Sequence, residues 1–555
     1  MKRYYLLGFF SVLAAICSAF PPKYEVRAVW LTTIGGIDWP HSYARSSVTV
    51  EQQKKELTDI LDRLKKANIN TVLLQTRIRA TTIYPSAYEP WDGCLSGVPG
   101  RSPGYDALGF AVEECHRRGM EIHAWVVCMP VGQWTAEGCK RLRKRYPQLL
   151  RKIGAEGYMN PEHVQTASYL ADVCEEITRN YDVDGIHLDY IRYPEAWPIK
   201  VSRDQGRQYI TNIVRQVSRR VKTLKPWVKM SCAPIGKHDD LARYSSRGWN
   251  AYTRTCQDAQ GWLRDGIMDM LFPMLYFRDD QFFPFAIDWS EQCSGRVVAA
   301  GLGAYMLSAK EGNWPLSDIE RQMYISRSYG LGQAFFRSKF FTDNTKGIYG
   351  FSLRFYDSPA LVPPMTWQSR DIPAAPAGMQ IRETADGCVL LSWDASSRDG
   401  RRSAALPEPA ILYNVYSSPE YPVDVSDARN LMVSRLSASS VAIPEGRGRY
   451  YAVTAVSRYG LESRSLQQPE PESQSVLSAP ALPVCRADVF ELPDAYPSFD
   501  SRYYLVETLQ GRIVLTVPFQ GRSVPLHGVP NGVYVLRSLN DRGVSHRLGF
   551  FMVKR

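Results

Sequence analysis

Between about Val26 and Tyr356 the chain alternates eight short apolar runs with longer amphipathic segments, and this constrains the fold more than any other feature. The strand-like runs are Val26–Thr33, Thr71–Thr76, Glu121–Cys128, Gly185–Asp189, Val228–Ala233, Met268–Tyr276, Val297–Tyr305 and Gly347–Leu353. Between them, segments such as Gln52–Ala67 set Leu57, Ile60, Leu61 and Leu64 on one helical face. Strands alternating with helices call for an α/β fold, and eight repeats call for a (β/α)8 TIM-type barrel followed here by small β-sandwich domains. The rival doubly wound sheet lacks support, because the chain carries no glycine-rich dinucleotide fingerprint and no phosphate loop.

A barrel places chemistry at the C-terminal ends of its strands. The run Asp184-Gly185-Ile186-His187-Leu188-Asp189-Tyr190 is the richest such end. Strand side chains alternate, so Asp184, Ile186 and Leu188 share one face while His187 and Asp189 share the other. Asp189 is the best candidate for a catalytic carboxylate, with His187 orienting it or donating to a substrate oxygen. Asp184 points to the opposite face, where supporting the barrel or capping backbone suits it better.

General acid–base catalysis calls for a second group that carries a proton to the leaving atom. Asp279 and Asp280 follow the sixth run and reach the same rim; each is either that acid or a solvated loop charge. Arg77 and Arg79 offer planar donors for a substrate carboxylate, or ion pairs within the barrel. Trp30, Trp125, Tyr190, Tyr276 and Tyr305 are apolar substrate platforms or core aromatics. His123 ends the third run beside Trp125. Asn160 either hydrogen-bonds substrate or caps the helix beyond Pro161. No cofactor and no metal site is expected: the cysteines form no close cluster and no His-x-x-x-His pair occurs.

The first 19 residues read as an export signal, with Lys2 and Arg3 before an apolar stretch and Cys17-Ser18-Ala19 at the cleavage region. Ile16 stands where lipidation at Cys17 wants a small residue, so a lipid anchor is not favoured, and periplasm or cell surface is the expected location. The formal charge is +11. For an exported protein this favours an anionic glycan partner over nucleic acid, for which no motif appears. No transmembrane partner is expected. Proline clusters at 359–376 and 469–483 divide the chain. The expected domains are a barrel over 24–372, a β-sandwich over 374–468 and a small β domain over 482–555.

Val26-Arg27-Ala28-Val29-Trp30-Leu31-Thr32, Gln75-Thr76-Arg77, His123-Ala124-Trp125, Asn160-Pro161 and the Asp184–Tyr190 run together resemble the glycosyl hydrolase-like 10 family over roughly Tyr24 to Tyr356. That family includes divisome-associated glycosidases acting on peptide-free peptidoglycan. The resemblance implies a TIM barrel and a bacterial glycan substrate containing N-acetylhexosamine. Many relatives carry a second Asp where this chain has Tyr190, a Gln where it has Met274 or Leu275, and Asn-Pro-Tyr where it has Val126-Val127-Cys128. Residues 377–468 resemble a fibronectin type III domain through Trp393, Tyr413-Asn414-Val415-Tyr416 and Tyr451–Val456. Gly532-Val533-Tyr534 and the last five residues resemble sorting or β-sandwich segments of exported Bacteroidetes proteins. The function expected is that of a glycoside hydrolase of cell-wall glycan or a related polysaccharide, with a noncatalytic glycan-binding or scaffold role as the alternative.

Overall fold

The computed structural model describes residues 21–385, 387–395, 410–444, 446, 449–469, 483–493, 501–508, 512–540 and 545–555. The expected export signal lies outside them. The chain forms two compact units, one spanning Pro21–Gln468 and the other containing Pro469–Arg555.

The first unit is built on a closed parallel barrel. Its strands are β1 (Arg27–Leu31), β2 (Thr71–Arg77) and β3 (Glu121–Val127), then, beyond a three-stranded excursion, β7 (Gly185–Asp189), β8 (Lys229–Cys232), β9 (Met270–Leu271), β10 (Val297–Leu302) and β11 (Gly332–Phe335). Each pairs in parallel with its neighbour, and β11 closes on β1 through Arg27↔Gln333 and Ala28↔Ala334. The excursion comprises β4 (Pro130–Gln133), β5 (Leu150–Ile153) and β6 (Glu156–Met159), antiparallel in the order β4-β6-β5, with a basic helix at Glu137–Arg145. It leaves the C-terminal end of β3, so it belongs to the catalytic face of the barrel.

One strand departs from the expected set. Residues 347–353 are not the eighth strand: Ile348–Phe355 is helical, and β11 lies earlier, at Gly332–Phe335. Ile348, Phe351, Ser352 and Phe355 are buried at helical spacing. The true strand is only four residues, Gly332-Gln333-Ala334-Phe335, too short to display an alternation. Tyr356, just past that helix, lies at the N-terminal end of the barrel, stacked on Arg27 at 4.5 Å.

The barrel interior is dominated by aromatic and small side chains. Trp30, Leu73, Trp125, Phe272, Ala28, Ala299 and Ala334 are packed together, while Ile186 and Leu188 face the surrounding helices. Gly185 has a specific reason to be glycine, since a Cβ there would lie 2.6 Å from Cγ of His123. The alternation read from the sequence is therefore realised, with His187 and Asp189 facing inward.

A seven-stranded sandwich follows: β12 (Ala377–Glu383), β13 (Val389–Asp394), β14 (Leu412–Ser418), β15 (Leu431–Leu436), β16 (Ser440–Ile443), β17 (Tyr450–Val456) and β18 (Leu466–Gln467). The sheets are β12-β13-β16 and β15-β14-β17-β18. Trp393, Tyr413 and Tyr451 are in its core. The sandwich packs on the N-terminal end of the barrel. Arg458 pairs with Asp182 at 2.8 Å, and Ser434 Oγ donates to the Gly119 carbonyl at 3.2 Å. Gly119, at φ +66°, leaves room for this approach: a Cβ would sit 2.2 Å from the Ser434 carbonyl oxygen.

The second unit carries a five-stranded sheet in the order β19 (Val484–Cys485), β25 (Ser545–Val553), β24 (Gly532–Leu539), β21 (Tyr503–Thr508), β22 (Ile513–Pro518), and a pair formed by β20 (Val489–Glu491) and β23 (Ser523–Pro525). Phe490 stacks on Phe551 at 4.5 Å in its core.

Candidate active site

Asp189 ends β7 and remains 7 % exposed at the catalytic end. Trp125 Nε1, on the adjacent β3, donates to its Oδ2 at 3.0 Å, and the Tyr190 backbone N–H donates to Oδ1 at 2.7 Å. Tyr190 adopts φ +50° to make this turn, an uncommon conformation for a bulky residue and a strain of the kind that gathers at functional sites. Burial raises the Asp189 carboxyl to about pKa 6, against the lowering effect of the Tyr190 N–H, Arg192 and Trp125. A carboxyl that ionises near pH 6 can exchange a proton near neutral pH.

Aromatic rings flank this carboxyl. Tyr276, Tyr305 and Phe336 contact one another with centroid separations of 5.5–5.7 Å, and Trp125 lies 6.5 Å from Phe336. The Tyr276 hydroxyl is pushed well above its usual pKa, first by burial and then by the nearby Asp189 charge, so it stays protonated and can donate. Arg192 lies over the Tyr190 ring at 4.5 Å and bonds Glu195 at 2.6 Å. Burial opposes ionisation of Glu195, but the Arg192 hydrogen bond and charge hold its carboxyl below the usual range. Glu195 was not singled out from the sequence; its signal was the Arg192–Glu195 spacing just past the strand end.

The expected second carboxylates are elsewhere on the rim. Asp279 pairs with Arg321, and both Asp279 and Asp280 are exposed in a short 3-10 turn. The carboxylate whose charge reaches Asp189 is Glu195. Asp279 and Asp280 thus have the setting of solvated loop charges.

Several expected contacts lie too deep for substrate. Arg77 is fully buried, bidentate to Glu89 and donating to the Cys128 carbonyl at 3.1 Å, with Tyr169 also on Glu89. It is an internal ion pair, whereas Arg79 is exposed near the rim. His187 makes no hydrogen bond to Asp189. Its Nε2 accepts from Trp30 Nε1 at 3.1 Å and its Nδ1 meets Ser231 Oγ at 3.0 Å, which leaves neither nitrogen for substrate. Burial and His123 hold its pKa well below the ordinary value, so the ring is neutral. Trp30 and His123 are likewise enclosed, at 1 % and 0 % exposure, and serve as barrel core rather than sugar contacts. Trp30, His123 and His187 lie before the ends of their strands and sit below the floor, whereas Arg77, at the end of its strand, is closed over by Glu89. Asn160 Oδ1 accepts from the Glu162 N–H at 3.1 Å, a turn-capping role. Trp125 supports Asp189 from the side, while Tyr190, Tyr276 and Tyr305 are half-buried at the rim.

The sequence profile of glycosyl hydrolase-like 10 matches residues 25–205 and 200–306, together about half of the chain. The chain belongs to the glycosyl hydrolase-like 10 family. Consistent with that membership, it is 28 % identical over 438 residues to the glycosyl hydrolase YngK of Bacillus subtilis, covering 72 % of this chain and 85 % of that one. It is 28 % identical over 336 residues to the glycosyl hydrolase DigH of Escherichia coli K12, covering 50 % and 75 %. Among solved structures, the glycoside hydrolase domain of PgaB (BpsB) from Bordetella bronchiseptica aligns with 59 % of this chain and 98 % of its own, at 14 % identity and TM-score 0.41. At that level the likeness carries no functional information. In this family member, Asp189 holds the strand-end position and Tyr190 follows it.

Proposed function

We propose that the protein hydrolyses the backbone of a bacterial cell-wall glycan or a related N-acetylhexosamine polysaccharide, with Asp189 as the catalytic carboxylate. The observation that carries this reading is the setting of Asp189: a raised carboxyl at the C-terminal end of a barrel strand, oriented by two N–H donors and bordered by aromatic rings. Its ionised form serves either as nucleophile or as the partner of a substrate acetamido group that attacks the anomeric carbon. Tyr276, protonated and adjacent, is placed to donate to that acetamido oxygen or to the sugar ring. Glu195 is the second carboxylate nearest in charge.

The excursion after β3 supports an anionic strand as substrate. Lys140, Lys144, Arg145 and Lys152 are exposed there, and Arg79 packs beside Gly132 at its base. Complementary charge raises the encounter rate with an anionic polymer. The relatives YngK and DigH, both named glycosyl hydrolases, agree with the reaction class. Export to the periplasm or cell surface belongs to the same proposal, because the polymer is found there. The sheet orders β12-β13-β16 and β15-β14-β17-β18 fit a fibronectin type III sandwich.

Mass spectrometry of products from intact peptidoglycan, peptide-free peptidoglycan, chitin and neutral glucans tests the reading. Wild type is expected to shorten a peptide-free or amino-sugar strand, and Asp189→Asn to abolish it while remaining folded. Saturable retention without new chain ends, unchanged in Asp189→Asn, would replace this proposal with a glycan-binding scaffold.

A further inference from the structure

A continuous line of polar groups runs along the barrel axis beneath the floor of the site, and its proton directions follow from one fixed donor. The Trp30 indole nitrogen only donates, so His187 Nε2 accepts. The proton of neutral His187 is then on Nδ1, donated to Ser231 Oγ at 3.0 Å. Ser231 Oγ also lies 3.3 Å from His123 Nδ1 and 3.4 Å from the Ile186 carbonyl. With His123 neutral, two arrangements exist. In the first, Ser231 donates to His123 Nδ1, and His123 carries its proton on Nε2, facing Glu121 Oε2 at 3.6 Å. In the second, His123 carries its proton on Nδ1, Ser231 donates to Ile186, and a bare nitrogen lone pair faces a carboxylate oxygen. Both His123 Nε2 and Glu121 Oε2 are buried and otherwise unpartnered. An ionised Glu121 selects the first arrangement, since the second sets two lone pairs against each other in a low-dielectric interior.

Glu121 is held by two cations. Lys229 Nζ donates to its Oε1 at 2.8 Å, and Arg435 Nη1 donates to the same oxygen at 3.0 Å. Arg435 comes from the β-sandwich, not from the barrel. It also pairs with Asp184, where Arg458 approaches at 3.4 Å and His116 at 2.9 Å. Arg435 sits at φ +57° where the β14–β15 pairing is irregular, and its N–H is anchored on Asn414 Oδ1 at 3.0 Å. A non-glycine residue in the left-handed region is strained, and it persists only where its surroundings require it. Here that conformation delivers the guanidinium to the two barrel carboxylates.

We propose that Arg435 of the β-sandwich is a positioning residue for the active site, acting through Glu121, His123, Ser231 and His187 on Trp30. Trp30 lies 6.0 Å from Phe336, which in turn contacts Trp125, the donor to Asp189. The sandwich is thereby a working part of the catalytic barrel. The activity arm of the test rests on the glycosidase reading; the spectroscopic arm does not.

The test uses the full chain labelled with 15N-histidine, with long-range proton–nitrogen correlation to read each tautomer and His123→Gln and His187→Gln to assign the signals. Wild type is expected to show His123 protonated on Nε2 and His187 on Nδ1. Glu121→Gln is expected to move the His123 proton to Nδ1. Arg435→Ala is expected to shift or mix the His123 signal and lower kcat about tenfold with KM within twofold, and Arg435→Lys to restore part of both. Arg458→Ala cuts a neighbouring contact between sandwich and barrel and is expected to leave the His123 signal and kcat unchanged. The proposal is overturned if wild-type His123 is protonated on Nδ1, or if Arg435→Ala changes neither readout. Equal losses in Arg458→Ala and Arg435→Ala also overturn it, since they would reduce Arg435 to general docking. Should Arg435→Ala not fold, Arg435→Lys and Glu121→Gln decide. Wild type that turns over no glycan, with the expected tautomers present, would sink the glycosidase reading alone.

Discussion

Trp125 Nε1 and Asp189 Oδ2 lie 3.0 Å apart on adjacent barrel strands, and this bond joins a buried aromatic to the proposed catalytic carboxyl. A hydrogen bond to a charged acceptor contributes roughly 1.5–3 kcal/mol. It favours the ionised form, so Trp125→Phe should raise the Asp189 pKa above its value near 6. The acid limb of the kcat/KM profile is expected to move up by about one pH unit. An unmoved limb would mean that another group controls it.

Asp189 is held at a cost to stability. Its folded pKa, about 6, lies above the ordinary aspartate value of 3.8, so the unfolded chain releases this proton more readily. The destabilisation is absent below the unfolded pKa, grows as pH rises through the interval between the two values, and is complete above pH 6. Asp189→Asn should therefore raise Tm more at pH 7.5 than at pH 4, corresponding to up to about 3 kcal/mol. Calorimetry at the two pH values measures the difference; a lower Tm at pH 7.5 would contradict the assignment.

The buried Arg77–Glu89 pair makes the opposite prediction. Removing one partner leaves an uncompensated charge, which typically costs ~3–5 kcal/mol. Arg77→Met should lower Tm sharply, and the fraction that remains folded should bind glycan with unchanged KM. A selective rise in KM in a fully stable variant would return Arg77 to the substrate.

Gly185→Ala probes the space reserved for His123. The added methyl would meet the imidazole at 2.6 Å. Overpacking of this kind costs about 1–3 kcal/mol and should appear in thermal unfolding, with a shifted His123 resonance. A neutral substitution would show that the axis is loosely packed.

The excursion cations are exposed, so their influence should be long-range and screened. Replacing Lys140, Lys144 and Lys152 with Glu is expected to raise KM several-fold for a carboxylated glycan at low salt and to have little effect at high salt. Neutral chitooligosaccharides should show almost no change. Equal effects on both would argue for a structural role.

The alternation of apolar runs was enough to specify a barrel, because strand and helix periodicities are local properties of consecutive residues. Seven of the eight expected runs overlap barrel strands, and the inward face of His187 and Asp189 follows from a period of two. The last strand was lost where four residues are too few to carry a period, and a buried amphipathic helix at Ile348–Phe355 supplied a stronger apolar signal. The residue types of the site were equally visible; their depth was not. Trp30, Arg77, His123 and His187 lie within strand runs like any rim residue, yet partners from other strands and loops enclose them. Glu121 and Arg435 are 314 positions apart, and only the docking of the sandwich on the barrel brings their charges to 3.0 Å. Local pattern thus determined which strands form and which way they face. Which ionisable groups meet, and which meet water, was decided by the closing of the barrel, since desolvation and ion pairing depend on neighbours that no local stretch of chain contains.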